Sequence, residues 1–199
     1  MENENNSNLA MEKKVISNEQ QPNYFHYIIQ SIKDPNTILS HDFKGYHQFG
    51  LINMIIFLGL ILLSSFIGLL DYLDALEWFG FGDYFNYLGR TLSFAIAIVI
   101  VIPVFVKVAA SNGSKFHMNY FLEKFGAFFI LPSILLLVSL PLEALGITVS
   151  SWFSSLATTF LYIGVFMTSY LYVSRNNMKT AFIFVAGFYF VYRLLLMIL

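Results

Sequence analysis

The chain has 199 residues, 57% of them apolar and 12% charged, against about 45–50% apolar and about 25% charged in an ordinary soluble domain. With a mean hydropathy of +0.67, that composition excludes a soluble enzyme of ordinary surface and indicates an integral membrane protein. The net charge of −1 leaves no overall basic footprint for nucleic acid, and the absence of cysteine removes disulfides, thiolate nucleophiles and thiolate zinc sites.

Residues Met1–Gln21 are rich in Asn, Glu and Gln and carry no aromatic side chain. Such a segment buries too little apolar surface to offset the entropy of ordering, so residues 1–21 read as a disordered tail. Residues 22–47 read as a juxtamembrane amphipathic segment. Within it, Phe25, Ile28, Ile29 and Ile32 recur at i, i+3, i+4 and i+7, the spacing of one helical face. Asp34-Pro35-Asn36 ends that helix as a turn. The face suits either the inner-leaflet interface, as a contact for lipid or a partner, or packing beneath a bundle.

Residues 48–199 read as an all-α domain, a five-helix transmembrane bundle. About 20 apolar residues are needed to cross a bilayer. Five segments qualify: Leu51–Leu70, Tyr87–Ala109, Phe125–Leu142, Trp152–Val173 and Met178–Leu199. Their continuous apolar runs, such as Ala95–Val106, lack the alternation of barrel strands. Pro103 and Pro132 fall inside the second and third spans, where they can kink a helix.

The connections alternate in charge. Near the spans, seven basic residues lie on the N-terminal side and two on the other. Positive-inside bias therefore predicts a cytoplasmic N-terminus and an outer C-terminus. Over the whole chain, the predicted cytoplasmic side sums to +2 and the outer side to −3. Asn, Ile and Phe usage suggests an AT-rich genome, hence a bacterial plasma membrane.

Between spans, Trp78–Tyr87 (WFGFGDYFNY) reads as an aromatic belt at the outer interface or a ligand platform. The connection Lys107–Lys124 carries Lys107, Lys115 and Lys124 beside Phe116, Tyr120 and Phe121. These lysines suit anionic headgroups, and they also serve simply as topology determinants. Arg193 stands about 22 Å along the last span at 1.5 Å per residue. It reads as an interfacial charge that snorkels or pairs with an outer carboxylate, with a substrate-binding role as the alternative.

The sequence holds no HExxH pair, Walker loop or GxGxxG, and no catalytic constellation deep in a span. No metal or cofactor site is predicted. The polar residues available for a solute path are Asn53, Ser64, Ser65, Ser93, Ser133, Thr158, Thr159 and Ser169.

Ser31-Ile32-Lys33-Asp34-Pro35 ahead of the membrane, and Phe121–Pro132 (FLEKFGAFFILP) leading through Gly126 into a proline-containing span, together with the polar tail and five close spans, resemble the Yip (Ypt-interacting-protein) family and its bacterial relatives. The resemblance covers residues 22–199 in outline. It implies a non-enzymatic membrane protein acting through partners, which in eukaryotic members are small GTPases of vesicle traffic. It assigns no site residue here. The expected function is a polytopic scaffold or regulator that binds lipids or a membrane or cytoplasmic protein, with homo-oligomers open. The alternative is a small transporter or channel component. A bacteriocin-immunity or envelope-stress factor also fits the size.

Overall fold

The computed structural model describes residues 23–40, 42–70, 81–111, 117–174 and 176–198, with side chains at all of these except 37–38, 69–70, 81–87 and 90. Among them the regular structure is entirely helical. The elements are α1 (Tyr24–Lys33), α2 (Pro35–Leu39), α3 (His47–Leu70), α4 (Phe81–Ser111), α5 (Met118–Ala127), α6 (Ile130–Ala144), α7 (Ser150–Thr168), a π-helical extension of α7 over Ser169–Val173, and α8 (Met178–Ile198). Lipid supplies no hydrogen-bond partners, so continuously apolar chain must satisfy its own backbone as helix.

Among the described residues, four helices are long and apolar enough to span a membrane: His47–Gly68, Thr91–Ser111, Ser150–Val173 and Met178–Ile198. The pair α5 and α6 makes a fifth if counted as one broken span, bent by 44°. Large apolar side chains left exposed on these helices, among them Ile55, Val99, Leu137, Phe182 and Phe190, form more apolar surface than a water-soluble monomer tolerates.

The expected third span, Phe125–Leu142, differs in shape. The break falls at Phe128–Phe129, where the Phe128 and Phe129 amides donate to the carbonyls of Phe125 and Gly126, three residues back, at 3.1 and 3.2 Å. Pro132 explains it. It has no N–H to return to the Phe128 carbonyl, and it falls in the first turn of α6, where a missing donor costs least. Pro132 thus starts a helix rather than kinking one, whereas Pro103 does lie inside α4. Asp34-Pro35 likewise ends α1 and then begins α2, with Pro35 in its first turn, where a simple turn was expected.

The segment Trp78–Tyr87 is expected to form part of a connection. Residues 78–80 lie outside the described residues, and from Phe81 the backbone is already helical.

Packing joins helices that are not neighbours in sequence: α3 lies against α5 and α6 and α4 against α8, while α6 lies against α7. Two glycines mark a close approach of α3 and α5. A Cβ on Gly126 would strike the backbone of Gly50, and one on Gly50 would strike the Leu122 carbonyl. This small-residue contact lets α3 and α5 meet at backbone distance. A file of rings fills the centre. Phe121 meets Phe125 at 4.9 Å between centroids, Phe125 meets Phe129 at 5.0 Å, Phe129 meets Phe57 at 5.2 Å, and Phe57 meets Phe94 at 6.1 Å. All five are buried.

Candidate functional site

Two polar clusters stand at opposite ends of this aromatic file. The proximal one, at the end carrying α1 and α2, is built on Glu123 and Lys124 of α5. Both side chains are 0% exposed, and Lys124 Nζ lies 2.8 Å from Glu123 Oε1. A buried charge requires satisfaction on all sides. Glu123 accepts the backbone N–H of Tyr46 at 2.8 Å and that of Lys44 at 3.1 Å, while Lys124 donates to the Asp42 carbonyl at 2.8 Å. Tyr46 immediately precedes α3, and its own carbonyl receives the Gly50 amide at 3.0 Å. Glu123 therefore serves as the N-terminal cap of α3 from a position far along the chain, with its negative charge at the positive end of the helix dipole. Gly45 permits the geometry: its φ of +81° turns the Lys44 and Tyr46 amides toward one carboxylate.

The same end holds α1 in place. Asn23 caps it, its side-chain oxygen accepting the Phe25 amide. Tyr24 donates to Asn53 Oδ1 at 2.7 Å, and Asn53 Nδ2 donates to the Gly126 carbonyl at 3.2 Å. Tyr27 is buried against the rings of Tyr46 and Phe49. Burial first, then the Glu123 charge, push its phenol well above the ordinary tyrosine range. Tyr172, at the π-helical end of α7, donates to the Leu39 carbonyl of α2. The wider π turn closes with the Ser174 amide on the Ser169 carbonyl, five residues back, at 2.8 Å.

The predicted contact residues divide. Phe25, Ile29 and Ile32 are 72%, 50% and 56% exposed, Ile28 is half-buried, and the bundle is gripped instead by Tyr24 and Tyr27. Lys107 is exposed near the end of α4, and Lys115 lies outside the described residues. Lys124 does not face headgroups: it is sealed in the ion pair with Glu123. Phe121, Phe125 and Phe129 on either side of it recur every fourth residue, a stripe that marks a core-facing helix rather than a loop. Arg193 is exposed and donates to the Tyr189 hydroxyl at 3.0 Å, stacking over that ring. Its described partner is thus a phenol one turn away, and the side chains of Asp71, Asp74, Glu77 and Asp83 lie outside those described.

Beside Ile32, an apolar groove of about 440 Å³ runs between α1–α2 and the spanning helices, with Ile32, Pro35 and Leu39 on one wall and Leu131, Phe160 and Ile163 on the other.

The distal cluster lines a cleft of about 400 Å³ to which α3, α4, α6, α7 and α8 all contribute. Ser64 donates to Glu143 Oε2 at 2.7 Å, and the Ser65 and Thr91 hydroxyls lie 2.6 Å apart. Thr158 and Tyr192 complete it with Phe94 and Leu136. Sequence reading placed Glu143 in a connection; it is half-buried at the end of α6. Of the predicted polar path, only Ser64, Ser65 and Thr158 meet here. Asn53 belongs to the proximal cluster, Thr159 bonds within its own helix, and Ser93, Ser133 and Ser169 do not line this cleft. Among the described residues, no three His, Asp or Glu side chains gather as a metal site.

Comparison with known proteins finds no family model, curated protein or solved structure that matches this chain.

Proposed function

We infer that this is a non-catalytic polytopic membrane protein that binds membrane lipid through α1 and the adjoining groove. The observation that carries the reading is the split amphipathicity of α1. Its tyrosine face is clamped to the bundle, while Phe25, Ile29 and Ile32 remain exposed beside a groove whose far wall belongs to spanning helices. That continuity puts the groove against hydrocarbon, so a lipid acyl chain is its occupant. Exposed Lys33 at the end of α1 supplies a cation for an anionic headgroup. Positive-inside bias assigns this end to the cytoplasm, and composition assigns the membrane to a bacterial cell. The Yip-like features of the sequence point the same way, to a scaffold or regulator.

The transporter alternative draws on the distal cleft, but the ring file from Phe94 to Phe121 fills the path between the two polar ends with apolar side chains. The test replaces Phe25 with tryptophan in a Trp78→Phe, Trp152→Phe background, in vesicles containing phosphatidylglycerol with brominated acyl chains. Strong quenching by these lipids, with little by aqueous acrylamide, is expected, and Ile32→Asp should reduce it. The reverse pattern, or solute flux through reconstituted protein, would refute the reading.

A further inference from the structure

The distal cleft is chemically one-sided. Its carboxylate, Glu143, receives one hydrogen bond among the described residues, from Ser64. The serine and threonine protons around it are largely committed. One of the Ser65–Thr91 pair donates to the other, and Ser65 also lies within bonding distance of the Ile61 carbonyl. Thr158 donates to the Ser154 carbonyl, and Ser154 is held between Ser139 and the Ser150 carbonyl. A hydroxyl has one proton and two lone pairs. What these groups have left to offer is therefore acceptors, next to a negative charge with unused lone pairs. Apolar side chains form the rest of the lining, and two are aromatic: the rings of Phe94 and Tyr192 meet edge to face at 5.4 Å.

A carboxylate, surplus hydroxyl lone pairs and ring faces together select a compact cation with several N–H donors on an apolar body. We propose that the cleft is a binding site for a protonated primary amine. Water is a poor substitute, because it brings no charge to balance Glu143. The volume, about 400 Å³, is that of a small-ligand site. The same ammonium chemistry is offered by an aminophospholipid headgroup and by a free amphiphilic amine.

The experiment uses the full chain in phosphatidylcholine nanodiscs. The probe is 3-phenylpropylammonium, and 3-phenylpropan-1-ol serves as its uncharged counterpart. The expected result is a saturable rise in thermal unfolding midpoint with the amine and none with the alcohol. Glu143→Gln, which keeps an acceptor for Ser64, should weaken amine binding about tenfold or more, the worth of a charge-assisted hydrogen bond. Thr158→Phe, which fills the cleft and leaves the carboxylate, should do the same and decides the matter if Glu143→Gln does not fold.

Nanodiscs containing phosphatidylethanolamine separate the two sources. If the headgroup is the occupant, they raise the midpoint without probe and blunt its effect. If a free amine is, the probe acts equally in both discs. Equal stabilisation by amine and alcohol, or an amine effect that survives both substitutions, would overturn the assignment.

Discussion

Glu123 binds three groups at once, two backbone amides and the Lys124 ammonium, which in turn donates to the Asp42 carbonyl. Replacing it with glutamine keeps an acceptor for the amides but leaves the buried Lys124 without its carboxylate. Breaking a buried pair from one side costs about 3–5 kcal/mol, so Glu123→Gln should lower the unfolding midpoint in detergent sharply. Adding Lys124→Met should recover part of that loss, since the uncompensated charge goes with it. Tyr27 predicts a pH dependence at the same site. Its folded pKa is raised above the unfolded value near 10. The neutral phenol's contribution is therefore complete below about pH 10 and is lost as pH rises toward the folded value. Alkaline unfolding of Tyr27→Phe should set in at higher pH than that of the natural chain. None of this was visible from charge counting, which sees Glu123 and Lys124 as two polar residues ahead of a span. The four-residue spacing of Phe121, Phe125 and Phe129 was the available signal that they sit on a buried helix.

At the scale of elements, spans were legible because each is a long uncharged run and lipid forces such runs into helix. The internal form of the third was not, since it depends on which carbonyl Pro132 leaves without a donor and on what packs across from Gly126. Gly126→Ala would push α5 off α3 at a contact of backbone on backbone, where no side chain can swing away. It should be among the most damaging single substitutions in the chain, reducing the folded fraction recovered in detergent several-fold. Gly59→Ala, which meets nothing within 4 Å, should be silent or slightly stabilising, by up to about 1 kcal/mol from helix propensity. α1 offers a milder case. Asn53→Leu removes the bridge between Tyr24 and the Gly126 carbonyl, a loss of about 1 kcal/mol per hydrogen bond. It should appear as faster hydrogen exchange in α1 with the spans unchanged. The periodicity of α1 was read correctly as amphipathic. Which face meets the bundle was not legible from spacing: Tyr24, bonded to Asn53, and Tyr27, packed on the rings of Tyr46 and Phe49, face it, while Phe25, Ile29 and Ile32 stay exposed.

Across the whole molecule, the phenylalanine file is what joins the two polar ends into one bundle. Phe129 touches both Phe125 and Phe57, so its truncation interrupts the file at the bend. Phe129→Ala should cost about 3–5 kcal/mol and be readable as a lower unfolding midpoint, with both clusters loosened together. Composition announced a membrane bundle, and loop charges suggested its orientation. The meeting of five helices at the Glu143 cleft was beyond such reading. Each helix supplies only one to three of its residues, and no local pattern ties Ser64 to a carboxylate 79 positions away.

The cap on α3 also has a history written into its order. The Lys44 and Tyr46 amides and the Asp42 carbonyl precede their partners on α5 by 77 to 82 positions. During synthesis the residues that receive the charge pair therefore leave the ribosome before the pair does. Until α5 follows, the entrance to α3 lacks the carboxylate that binds its amides, so this junction can close only after α4 has also been made.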